Sequence, residues 1–243
     1  MSTLLLVTLA ALALLLLGAW AWRRREPPHG PRIRSADDIH PDVAVQMLRS
    51  MMADSLREAG VDPDGWVPFG GDPALTRAAV DGFLRRQQGE HIPGGDLLAD
   101  LARRPEVPPL EAAILMDLIA TAAVDANAGP AGPAHALTWV DVGLGRKPDH
   151  TSLLATRAGL LVVGGRPEEG VPFLASFLET APDAQRAYTA GLLALGLHEL
   201  GRADEATHLW EEAERAARGH ASRHARSALL ALIAGWRRRA QAP

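Results

Sequence analysis

Between Asp149 and Ala216 the chain repeats itself. Pro148-Asp149 recurs as Pro182-Asp183, 34 residues on, and Gly165-Arg166-Pro167-Glu168-Glu169-Gly170 recurs as Gly201-Arg202-Ala203-Asp204-Glu205-Ala206, 36 residues on. A unit of this length, with apolar residues at helical spacing on both sides of a central glycine, predicts two helices joined by a tight turn. One such pair cannot bury its apolar face alone, so the repeat implies a stack of pairs. The two extra residues of the second unit fall in its first helix.

In the first unit Leu154, Ala158 and Leu161 occupy the buried spacing of helix A, Gly165 turns the chain, and Gly170, Leu174 and Phe177 face back from helix B. The same roles fall to Ala190, Ala194 and Leu197, then Gly201, then Ala206, Trp210 and Ala213 in the second. Small residues at the crossings let the backbones approach, and larger ones fill the grooves around them. This pattern resembles the tetratricopeptide (TPR) repeat, whose period is roughly 34 residues. Pro172 departs from it, because a proline inside a helix removes a backbone donor. The expected result is a kinked helix B, or one that starts late with Pro172 in its first turn.

Upstream, Pro108-Pro109 opens an apolar helix to about Ala126, and a second helix covers Ala134 to Leu144. Val140, Gly143 and Leu144 precede Pro148-Asp149 by the same distances as Leu174, Phe177 and Leu178 precede Pro182-Asp183. Leu110 to Lys147 is therefore read as a third, degenerate repeat. Downstream, Ala221 to Arg239 carries Leu229, Leu232, Ile233 and Trp236 on one face, as a terminal capping helix requires. The expected fold is all-α, a TPR-like helical-hairpin array of about three pairs plus a cap, behind an N-terminal transmembrane helix. The boundaries are 1–25 for the anchor, 26–40 for a linker, 41–107 for adapter helices, 108–220 for the repeats and 221–243 for the cap.

The anchor rests on Thr3 to Trp22, an uncharged run of 20 residues. As a helix it measures about 30 Å, enough to cross a bilayer. Arg23-Arg24-Arg25 follows at once, which argues against a cleaved signal peptide and for a cytoplasmic C-terminal side. Lys147 is the only lysine among many arginines. That composition suggests a GC-rich bacterial genome, so the expected location is the bacterial inner membrane, single-pass.

In the adapter region a helix is expected from Pro41 to Ala59, with Val45, Leu48, Met52 and Leu56 on its inner face and Gly60 as its stop. Trp66 and Phe69 sit in a Pro- and Gly-rich loop. Asp72-Pro73 opens a helix to about Gln88. Gly89 to Gly95 is expected to break the chain before a short helix from Asp96 to Arg103.

There is no cysteine, hence no disulfide and no thiolate nucleophile, and a net charge of −4 brings no basic field for nucleic acid. His220 and His224 share a helical face but lack a third strong ligand, and the Glu168-Glu169 and Asp204-Glu205 pairs complement the dipoles of helices they begin. Phosphate loops, nucleophile elbows and zinc helix motifs do not occur. No catalytic residue, metal or cofactor is expected, and the chain reads as a non-enzymatic scaffold that binds protein partners. The alternative is an accessory or metal-dependent enzyme with a site near Trp66 and His91. The resemblance implies a concave groove lined by helix A that takes a partner peptide or helix, with Thr156, Val162, Tyr188, Leu192, Leu195, His198 and Glu199 on it. Two further readings of that groove are a homo-oligomer built through it, and its occupation by other helices of the same chain, such as those before Leu110.

Overall fold

The computed structural model describes residues 35–124, 131–220 and 223–241, all within one unit, Ser35–Pro243. The expected membrane span and most of its linker lie outside them. Among the described residues no helix is long and apolar enough to cross a membrane.

These residues are all-α, with ten α-helices and two short 3-10 segments and no strand among them. α1 (Pro41–Glu58), α2 (Pro73–Gln87) and α3 (His91–Arg103) form the N-terminal part. α4 (Pro109–Val124) and α5 (Ala131–Arg146), α6 (Thr151–Val163) and α7 (Pro167–Thr180), and α8 (Asp183–Glu199) and α9 (Ala203–Gly219) are successive pairs. α10 (Arg223–Ala240) closes the array. Within each pair the two helices pack on each other, and the first helices α4, α6 and α8 also pack in sequence. That arrangement is compatible with TPR-like repeats.

The repeated Gly-Arg segment folds the same way twice. Gly165 and Gly201 take φ of 81° and 76°, a left-handed conformation that costs glycine little. The next amide reaches back over the helix end, Arg166 to Leu161 at 2.8 Å and Arg202 to Leu197 at 2.9 Å, and satisfies a carbonyl the helix leaves open. Each arginine then forks onto the glutamate three residues on, Arg166 onto Glu169 at 2.5 and 2.6 Å and Arg202 onto Glu205 at 2.7 and 2.7 Å. The acidic first turns expected for dipole reasons are thus also half of a turn clamp.

Two expectations need correction. α3 starts at His91 and not at Asp96, so Ile92 to Gly95 is helix. Pro93 falls in the first turn, where its missing N–H costs nothing. Gly94 and Gly95 are packing sites: a Cβ on Gly94 would stand 2.6 Å from the Gly82 carbonyl oxygen of α2, and one on Gly95 would overlap the Trp139 indole of α5. α2 and α3 therefore form a further closely crossed hairpin ahead of the repeats. Of the two outcomes expected at Pro172 the late start does not hold: α7 starts at Pro167 and contains Pro172, which is exposed while Val171 and Leu174 beside it are buried.

Candidate functional site

The expected groove residues lie on α6 and α8, and the structure buries most of them within the chain. Val162, Leu192 and Leu195 have no exposed surface, and Thr156 is 4% exposed. Leu192 packs where Gly159 has no side chain, and Val162 fills the space beside Gly196 and Gly170. Tyr188 and His198 are half-buried and Glu199 is exposed.

α10 covers the groove from one end. Its Trp236 is fully buried, stacks edge-on against Tyr188 at 5.4 Å between centroids, and donates its indole N–H to the carbonyl of Val124 at the end of α4 at 3.4 Å. Arg239 donates to the carbonyl of Val163 at the end of α6 at 2.9 Å and pairs with Glu199 at 3.0 Å. Arg237 pairs with Glu214 of α9 at 3.1 Å. The terminal helix thus reaches the ends of α4 and α6 and the length of α8, and two of its three terminal arginines are held by the chain itself. The occupant of this part is another helix of the same chain, α10, and not one of those before Leu110.

At the other end, where α6 and α8 begin, the face stays open as a cleft of about 830 Å³. The last turn of α1 (Ser55, Glu58), the α5–α6 turn (Lys147 to His150), Ser152, and Phe177, Thr180 and Gln185 line it. Gln185 donates to Glu58 at 2.7 Å and so ties α1 to the start of α8 across 127 residues of sequence. Glu58 is exposed as a residue, yet protein atoms crowd its carboxyl. That desolvation, opposed by the Gln185 hydrogen bond and reinforced by the charges of Asp117 and Asp54, holds its carboxyl above the ordinary value.

Beneath the cleft, Asp117 of α4 is buried and accepts from Ser152 Oγ and Thr156 Oγ1, both at 2.6 Å, and Thr156 Oγ1 meets Thr121 Oγ1 at 3.2 Å. His150 caps α6 by accepting the Leu153 amide at Nδ1, 3.2 Å away, so the neutral ring carries its proton on Nε2. Burial holds this ring below its ordinary value, against the pull of the Asp117 charge. It is therefore a neutral hydrogen-bond donor.

The cationic groups here are committed. Lys147 pairs with Asp149 at 2.8 Å, and Arg146 donates to the carbonyls of Arg104 and Val107 at 3.0 and 2.5 Å, closing the α3–α4 turn.

The Trp66 loop is pinned. Trp66 Nε1 and the Phe69 amide both donate to the buried carboxylate of Glu111, at 3.1 and 2.7 Å, and Arg49 donates to the Trp66 carbonyl at 2.7 Å. Phe69 takes φ of 51°, uncommon for a side-chain-bearing residue, and its amide bond to Glu111 holds it there. Burial raises the Glu111 carboxyl above its ordinary value. His91 is exposed at the start of α3, and its carbonyl accepts from Arg86 at 2.9 Å. No group of three or more His, Asp or Glu residues that could hold a metal ion occurs among the described residues.

Glu58, His150 and Gln185 belong to no motif in the sequence, whereas Asp117 interrupts an apolar helix. That interruption was the available signal, because a carboxylate inside an apolar helix must be buried with partners. No family model, curated protein or solved structure matches this chain.

Proposed function

We propose that the chain is a non-enzymatic scaffold of TPR-like repeats, tethered by Thr3 to Trp22 in a bacterial inner membrane with its array on the cytoplasmic side, and that it holds partner proteins there. The tether and its orientation rest on the sequence alone: an apolar run long enough to span, followed by three arginines. The observation that carries the recognition reading is the division of the α4–α6–α8 face. One half is filled by α10, and the other opens as a cleft lined by polar side chains from three segments distant in sequence. Loops and helix ends held by a rigid array are where recognition residues concentrate.

The test is affinity capture of the full-length protein from detergent-solubilised membranes beside a Thr151→Trp variant. Thr151 is exposed on the rim of the cleft, so an indole there blocks the opening without entering the core. A partner captured by the native chain and lost by the variant, with helical circular dichroism unchanged, supports the reading. The same partners with both, or none with either, removes it. A C-terminal reporter active only in the periplasm would overturn the orientation.

A further inference from the structure

We propose that the cleft between the end of α1 and the starts of α6 and α8 binds a basic side chain, a guanidinium or ammonium group, presented by an extended peptide segment of a partner. This rests on the scaffold reading above and names the chemistry of its partner.

Three observations converge. The first is space: about 830 Å³ holds a long side chain and part of the main chain that bears it. Phe177 and Thr180 on one wall suit the methylene stem of such a residue, whose charged head would lie toward α1.

The second is the sign of the uncommitted charge. Lys147 and Arg146 are already spent, one on Asp149 and the other on backbone carbonyls. The start of α8 brings partial positive charge, and Asp183 stands at it to offset that charge. What remains is Glu58 with Asp117 below it, because Asp54, one turn before Glu58, is paired with Arg57 at 2.7 Å. Glu58 has no cationic partner among the described residues, and its bond from Gln185 is neutral. A guanidinium beside Glu58 would supply the missing countercharge with charge-assisted hydrogen bonds.

The third is a donor that opens on the cleft. His150 is 7% exposed, lines the cleft, and spends Nδ1 on the Leu153 amide. Its Nε2–H has no protein acceptor among the described residues and is not a buried atom, so it is open to an acceptor that a ligand brings into the cleft. A main-chain carbonyl of an extended peptide is such an acceptor. The two demands, an acceptor at His150 and a cation at Glu58, fit one basic residue within a peptide. They do not fit an isolated metal ion, which offers no acceptor.

The test uses the full chain in detergent micelles and three capped peptides, Ala-Ala-Arg-Ala-Ala and its Gln and Glu counterparts, followed by titration calorimetry. The Arg peptide should bind about tenfold tighter than the Gln peptide, and the Glu peptide weakest. Glu58→Gln keeps an acceptor for Gln185 and removes only the charge. It should erase the preference for Arg over Gln while leaving the unfolding midpoint nearly unchanged. Equal binding of the three peptides, no binding by any, or a preference that survives Glu58→Gln overturns the proposal. A partner captured by the native chain, lost with Thr151→Trp and retained by Glu58→Gln would overturn the basic-residue assignment while the scaffold reading stands.

Discussion

The indole of Trp236 occupies the space that Gly191 leaves by having no side chain: a Cβ on Gly191 would lie 2.9 Å from Trp236 Cζ3. Trp236 is wholly buried, although its helix is the last of the array and carries three arginines directly after it. Helix α10 is therefore seated in the groove of α8, and one residue on each helix sets how deeply.

Trp236→Ala empties that seat. Loss of a fully buried aromatic side chain costs about 3–5 kcal/mol. Denaturant unfolding of the variant should show that loss, and a hydrophobic dye should bind to the face uncovered around Tyr188 and Gly191. An unchanged unfolding midpoint would mean that α10 does not dock as described.

The two repeats are expected to answer opposite substitutions. Gly170 crosses α6 so closely that a Cβ would overlap the Ala158 carbonyl oxygen, whereas its counterpart Ala206 is a buried methyl. Gly170→Ala should destabilise by about 1–3 kcal/mol, because backbone must shift. Ala206→Gly should cost about 1 kcal/mol through added chain entropy in the unfolded state. Stabilisation by Gly170→Ala, as helix propensity alone favours, would contradict the crossing.

Glu111 gives a pH signature. Its carboxyl is raised above 4.5 chiefly by burial, so the folded chain holds that proton more tightly than the unfolded chain. The resulting stability is fully present below about pH 4.5 and is lost as pH rises through the raised value. Unfolding free energies of the native chain and Glu111→Gln, measured from about pH 4 to pH 7, should diverge in the variant's favour as pH rises. A pH-independent difference would count against the desolvated carboxylate.

His150 acts at higher pH and with the other slope. Burial lowers it from 6.5, so the unfolded chain binds the proton more tightly. Stability from the neutral ring is present above about pH 6.5 and falls as pH drops through the lowered value. Asn at this position caps a helix without titrating. Thermal melts of His150→Asn should therefore lose less between about pH 7 and pH 5 than those of the native chain, and parallel losses would refute the assignment.

Most element boundaries were legible because the repeat put the same punctuation at the same places. Gly165 and Gly201 end helices as read, and Pro-Asp stands before α6 and α8. The miss at Gly89 to Gly95 has a clear cause. Glycine in sequence signals either a break or a close approach, and only the latter holds at Gly94 and Gly95, where α2 and α5 press in.

The groove was harder to judge. The resemblance put Leu192 and Leu195 on an open groove and periodicity marked α10 as amphipathic, but neither could say that those groove residues are buried within the chain or that α10 docks beside them at Gly191.

The sequence alone thus determined the helical class and the pairing of helices in the repeats, because these follow from periodicity and from turn residues a few positions apart. Tertiary structure alone decided which surfaces remain for a partner. Trp236 against Gly191, Gln185 on Glu58, and Asp117 under Ser152 join residues 45, 127 and 35 positions apart. Such contacts depend on crossing angles and on the space that small residues leave, and no local pattern encodes either.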